Sequence, residues 1–250
     1  MKPKWLFFLA ILTLFFLGVR EVTPVQKDGI PPAPVATETE RIDFPLVPGS
    51  YWVYEGITQW MPTNSDQVNQ TAITWKMEVV DTFERGPLKV GILKGYPADV
   101  AWYSEGKERG EHLIIEVSPG KYYLVSDERA RLVLQRLTDE ADVLVNLLED
   151  VELLLDLPLI PGKVFGSSEQ ITRLDGGYRW NVETAEQVGL EAAGISSTES
   201  HIQYHLTFRT APDMMSLDFV PGIGITRYQY QHHGAIAETD LKLIEYYPGN

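Results

Sequence analysis

The stretch Phe44-Pro45-Leu46-Val47-Pro48-Gly49-Ser50-Tyr51-Trp52 is written a second time as Leu157-Pro158-Leu159-Ile160-Pro161-Gly162-Lys163-Val164-Phe165. Both prolines, the glycine, the apolar positions and the final aromatic keep their register. Proline fixes φ and glycine accepts turn conformations closed to other residues, so the phrase reads as the launch of a structural lobe. A repeat of structural residues points to a building plan and not to chemistry. Trp180-Asn181-Val182-Glu183 after the second copy parallels Trp75-Lys76-Met77-Glu78 after the first. The expectation is two related halves, about 44–156 and 157–250, within a β-rich region spanning 42–250.

Outward from each copy the pattern is that of strands. Tyr51 and Val53 alternate with Trp52 and Tyr54; Ile73, Trp75, Met77 and Val79 share one face of a strand over 72–83, and Arg85-Gly86-Pro87 turns it into another at 88–93. A hairpin with arms 101–104 and 112–117 and a strand at 121–125 follow. In the second half strands are expected at 178–188, 201–209, 215–220, 223–232 and 236–246. In the last, Ala237, Thr239, Leu241 and Leu243 oppose Glu238, Asp240 and Lys242, as a sheet with one wet face requires. The fold class is mainly β: antiparallel sheets in two related halves, forming a curved sheet, half-barrel or sandwich.

One stretch departs from period two. Leu144, Leu147, Leu148, Val151, Leu154 and Leu155 recur at helical spacing, with Asp142, Asn146, Glu149 and Asp156 opposite, Thr138 as N-cap and Pro158 as stop. This predicts a helical insertion over 139–157. Residues 127–137 fit a helix or a strand equally.

The amino terminus has its own signature. Lys2 and Lys4 precede an apolar run from Trp5 to Val19, ended by Arg20 and Glu21. As a helix the run is about 22 Å long, short of the roughly 30 Å hydrocarbon core of a bilayer. Residues 1–22 therefore read as a signal peptide, with an N-terminal membrane anchor as the alternative, because no A-x-A cleavage pattern follows. Either places the remainder outside the cytoplasm, secreted or tethered. Residues 23–41, with Pro24, Pro31, Pro32 and Pro34, read as a flexible linker.

The 250-residue chain carries a formal charge of −14 and no cysteine. The charge speaks against nucleic acid and against adhesion of the folded part to an anionic membrane, which leaves only the N-terminal segment for membrane contact. Lack of cysteine removes disulfides, thiolate metal sites and a lipidated cysteine. His201 and His205 on a strand lie about 13 Å apart, too far to share a metal with bonds near 2 Å; His232 and His233 point to opposite faces, and His112 stands alone. No metal site or cofactor is expected. Among the carboxylates, Glu78 and Glu183 are the catalytic candidates, as the pair equivalent in the two halves. Among the aromatics, Trp52, Trp75, Trp102 and Trp180, with Tyr54, Tyr103, Tyr228 and Tyr230, are the ligand-binding candidates for an apolar or carbohydrate molecule, although rings of this kind equally fill a core.

Phe44 to Tyr54, of the form F-P-L-x-x-G-x-x-W-x-Y, and the stretch from Asp218 to Tyr228 resemble the opening and the closing hairpin of a group of uncharacterised exported bacterial β-rich proteins. That resemblance implies an extracytoplasmic β domain without an established activity and supplies no functional residues. The functional expectation is a non-catalytic binding or interaction module whose partner is an apolar small molecule, a lipid or an envelope component. The alternatives are a carboxylate-dependent hydrolase of envelope polysaccharide and a structural cell-surface protein.

Overall fold

The computed structural model describes residues 43–62, 65–149, 151–195 and 200–249; the signal peptide or anchor expected at 1–22 and the linker expected at 23–41 lie outside them. Six strands follow the first phrase: β1 (Tyr51–Trp60), β2 (Asn69–Arg85), β3 (Leu88–Lys94), β4 (Glu111–Ser118), β5 (Lys121–Ser126) and β6 (Glu152–Asp156). Six more follow the second: β7 (Val164–Phe165), β8 (Trp180–Val188), β9 (His201–Arg209), β10 (Asp213–Val220), β11 (Gly224–His232) and β12 (Ala237–Tyr247). All twelve form one antiparallel sheet in the order β6-β5-β4-β3-β2-β1-β12-β11-β10-β9-β8-β7. Each set is a meander. The sheet curls until its edge strands β6 and β7 approach each other, giving a nearly closed barrel.

Period-two patterning decides which side faces inward. Trp52, Tyr54, Met77, Val79, Leu93, Ile114, Leu206, Leu217, Phe219, Tyr228 and Leu241 are buried in one continuous core. Two connections help fill the barrel. Phe44, from the first phrase, stacks on Phe219 at 6.1 Å and lies 6.0 Å from Trp52. The 3-10 turn Pro97–Val100 buries Val100, whose carbonyl accepts from Thr239 Oγ1 at 2.7 Å. The interior is thus packed with side chains.

The two phrases make the same backbone contacts. The Gly49 N–H donates to Val79 O and the Val79 N–H to Ser50 O, at 2.8 and 2.9 Å; the Gly162 N–H donates to Val182 O and the Val182 N–H to Lys163 O, at 2.7 and 2.9 Å. Gly49 and Gly162 sit at φ +82° and +87°, which a Cβ would strain. The ladder assigns counterparts differently from the sequence match. Trp52 faces Met77 and Phe165 faces Trp180, while Tyr51 faces Glu78 and Val164 faces Asn181. Met77, not Trp75, corresponds to Trp180, and Asn181, not Glu183, corresponds to Glu78. The offset of two residues preserves which face is buried, and for that reason the sequence pattern alone conceals it.

The helix expected over 139–157 does not form. The helix is α1 (Asp127–Thr138), the segment left open between helix and strand, and Thr138 ends it instead of capping a new one. After it, Leu144 and Asn146 adopt φ +55° and +57°, the chain turns as far as Glu149, and residues 152–156 join the sheet as β6. Spacing was misleading because the leucines serve two different cores. Leu144, Leu147 and Leu148 pack beneath α1, whereas Leu154 and Leu155 enter the barrel. The explanation for α1 lies in β4, which buries residues on both faces: Ile114 points inward, and Leu113 and Ile115 pack against Ala130, Val133 and Leu137 of the helix. Residues 101–104, expected as a hairpin arm, form a turn after the 3-10 segment.

Candidate functional site

The sequence candidates separate into distinct environments. Trp52 and Trp75 are core residues whose indole N–H groups donate to backbone carbonyls, Ile223 O at 2.6 Å and Gly95 O at 2.9 Å. Tyr54 likewise donates to Ile225 O at 3.0 Å. Trp102 is 52% exposed, with its ring 4.6 Å from that of His232. Glu78 pairs with Lys76 at 2.9 Å, and Glu183 accepts from Thr207 Oγ1 at 2.6 Å. The last two are on β2 and β8, with five strands between them in the sheet, so they do not converge on a common substrate. Among the tyrosines, Tyr230 donates to Asp213 at 2.6 Å; of the four candidate tryptophans, Trp180 is the one that combines burial with a titratable partner.

That partner is Glu152, the first residue of β6. The Trp180 indole N–H donates to Glu152 Oε1 at 3.2 Å, across the place where the barrel fails to close. β6 pairs with β5 and β7 pairs with β8, but no ladder joins β6 to β7. The result is a cleft of about 660 Å³. Tyr123, Leu148, Val151 and Leu153 line one side and Trp180 and Phe208 the other; Ser167, Ser168, Glu169, Gln170, Tyr178 and Arg179 supply polar groups. The volume falls in the range of small-molecule sites.

The walls are held by identifiable local devices. Stacking on Phe165 and a tilted contact with Phe208 at 5.2 Å fix Trp180. The short helix α2 (Ser168–Ile171) begins with a capping box: Ser167 Oγ accepts from the Gln170 N–H, and the Gln170 side chain accepts from the Ser167 N–H at 2.8 Å. Tyr178 has φ +62°, its N–H donates to Arg209 O at 2.6 Å, and the Arg173 guanidinium lies 4.6 Å from its ring centre.

Electrostatics single out Glu152 within this cleft. Burial disfavours the carboxylate and moves its pKa up to about 7, although the Trp180 hydrogen bond pulls the other way. Tyr96 and Tyr228 are close enough to feel its charge, which adds to the burial that raises both phenols. Near neutral pH this carboxyl can therefore exist as an acid that donates or as a base that accepts. The sequence reading missed Glu152 because it lay inside the stretch assigned to a helix. The available signal was the run Leu153-Leu154-Leu155, short and apolar before Asp156 and Pro158, which suits a buried strand.

Histidine chemistry was also hidden. His112, which looked solitary, is buried, with Nε2 2.8 Å from Asp99 Oδ1 and Nδ1 3.0 Å from Ser126 Oγ. Asp99 Oδ2 accepts from the Gly110 N–H at 2.8 Å. Serine, histidine and aspartate thus meet, but His112 and Asp99 are almost completely covered. The network ties the 3-10 turn to β4 and the start of α1. Two other histidines also face aspartates: His205 lies 2.7 Å from Asp218, and His232 lies 2.8 Å from Asp213. Burial pushes Asp213 up, yet its bonds with His232, Tyr230 and Thr210 hold it below the usual carboxylate value.

No protein-family model and no curated protein matches the chain. Two solved structures are similar in fold. One, from Bacteroides fragilis, is described as an exported protein with a YmcC-like fold: 11% identity over 82% of this chain and 98% of that one, with a TM-score of 0.38. The other, from Parabacteroides distasonis, is described as a lipoprotein: 10% identity over 82% of this chain and 97% of that one, with a TM-score of 0.35. At that level of similarity neither activity nor ligand passes from those proteins to this one.

Proposed function

We propose that the protein is an extracytoplasmic binding module, and that the cleft between β6 and β7–β8 receives a small apolar or amphiphilic molecule. The observation that carries the reading is the position of Glu152: a carboxyl held against Trp180 where aromatic and aliphatic walls meet the polar groups of Ser167, Ser168, Glu169, Gln170 and Arg179. The apolar leader-like segment supports the extracytoplasmic part. The matched contacts of the two phrases support a duplicated scaffold in which β1 joins β12 and β6 fails to join β7. Function then resides at the one joint the scaffold leaves open.

Native mass spectrometry of protein purified from its source should show a co-purified small molecule, and Val151→Trp, which fills the cleft from its side, should remove it. Repeatedly ligand-free spectra, or full retention in Val151→Trp, overturn the reading. The hydrolase alternative shifts from Glu78 and Glu183 to Glu152, the carboxyl that can remain protonated near neutral pH. Loss of polysaccharide turnover in Glu152→Gln would favour it; no turnover by the unmodified protein would dismiss it.

A further inference from the structure

The polar groups of the cleft are unequally satisfied. The Arg179 side chain donates from Nη1 to Ile171 O at 2.8 Å, but its Nε is buried with no hydrogen-bond partner. A buried donor left unpaired has lost its water without compensation, and the penalty is larger when the group is charged. Native interiors avoid that situation, and an orphaned group calls for an acceptor from elsewhere. Arg179 also lines an adjoining groove of about 410 Å³ with Asn181, Arg209 and two carboxylates that have partners of their own, Asp175 paired with Arg173 and Glu183 accepting from Thr207, so it stands where the main cleft meets more polar ground. Glu152 does not pair with it among the described contacts: its carboxyl accepts from the Trp180 indole.

We infer that Arg179 makes the cleft selective for an acidic amphiphile, whose anionic group accepts from the guanidinium while its apolar part lies against Trp180, Phe208 and Leu153. The inference rests on the binding-module reading and names the chemistry of the ligand. Two features favour an anion over a neutral or cationic molecule, against the long-range repulsion of a chain whose formal charge is −14. The unmet donor is a guanidinium, whose charge-assisted bonds to carboxylate or phosphate oxygens are roughly twice as strong as neutral ones. When protonated, Glu152 presents a second donor in place of a competing charge.

The test is calorimetric titration of the purified protein at neutral pH with decanoate, decyl phosphate, decanol and decylammonium. Decanoate, decyl phosphate or both should bind at least about tenfold more tightly than decanol, and the preferred one identifies the head group. Arg179→Gln should erase that preference while leaving decanol affinity unchanged, and Arg179→Lys should restore part of it. The unmodified protein offers an independent measure, since the anion advantage should shrink as salt rises from about 0.05 M to about 0.5 M. Equal binding of decanol and the anions, tighter binding of decylammonium, or an anion advantage insensitive to salt overturns the inference and leaves the cleft as a binding site. Failure of all four probes to bind overturns both.

Discussion

The two six-stranded halves meet twice, and the meetings differ. At the centre of the sheet β1 and β12 pair over ten positions of β1, from Tyr51 opposite Tyr247 to Trp60 opposite Ala237, and bury Trp52, Tyr54 and Leu241. At the seam, β6 with five residues and β7 with two do not pair with each other and leave the cleft. The contrast extends to the tryptophans. Trp52 gives its N–H to a backbone carbonyl that cannot titrate, whereas Trp180 gives its N–H to a carboxyl that can. A closed joint satisfies polar groups permanently; an open one leaves a group able to change state.

The largest expected effect tests the closed joint. A Cβ on Gly56 would lie 1.8 Å from the Asp240 carbonyl oxygen, backbone that cannot move without separating β1 from β12. Gly56→Ala should cost more than about 4 kcal/mol in chemical denaturation, or prevent folding. At the seam, Val151→Trp adds far more volume and should cost about 1 kcal/mol or less, because it grows into open space. Similar losses for the two would erase the distinction between the joints.

A smaller effect probes the titratable partner at the seam. The Glu152 carboxyl lies near 4.5 when unfolded and near 7 when folded, so between those values the folded state holds a proton that the unfolded chain has released. The contribution of Glu152 to stability is therefore fully present below about pH 4.5 and declines as pH rises through about 7. Glu152→Gln should match the parent in mild acid, exceed it by on the order of 3 kcal/mol above neutrality, and remove that slope from a series of denaturation curves. Parallel pH profiles for the two proteins would show that Glu152 is solvated and the cleft wet.

The smallest effect lies on the turn beside the seam. The Arg136 side chain, together with the Leu144 N–H, holds Asp142 down to about 2, below its usual carboxylate value. Stability from this group is present above the unfolded value and disappears only as pH falls toward 2. The pair is exposed and screened by solvent, so Asp142→Asn should lower the melting temperature barely measurably at neutral pH and leave ligand binding at the cleft unchanged.

Much of the fold could be read from alternation. Ile73, Trp75, Met77 and Val79, and Ala237 through Leu243, announce their inward faces because a strand places every second side chain on one side. The misassigned segment was the one where a single run of leucines served two cores: Leu147 under α1 and Leu154 in the barrel mimic one helical stripe, although each answers to a different partner. Of the site, the sequence singled out Trp180 but not Glu152 or Arg179. An aromatic is conspicuous by type, whereas one glutamate among many acquires meaning only from its burial.

By itself, the sequence determined that this chain is an antiparallel β protein launched twice by the same proline-glycine phrase, with acidic charge and no thiol chemistry, because those properties follow from residue type and period. Tertiary structure alone decided that the halves zip together at β1 and β12 and part at β6 and β7. That outcome depends on the curl of the whole sheet, and it determines that Glu152 lines one cleft with the adjacent pair Arg179 and Trp180, 28 residues beyond it at the opposite edge of the sheet.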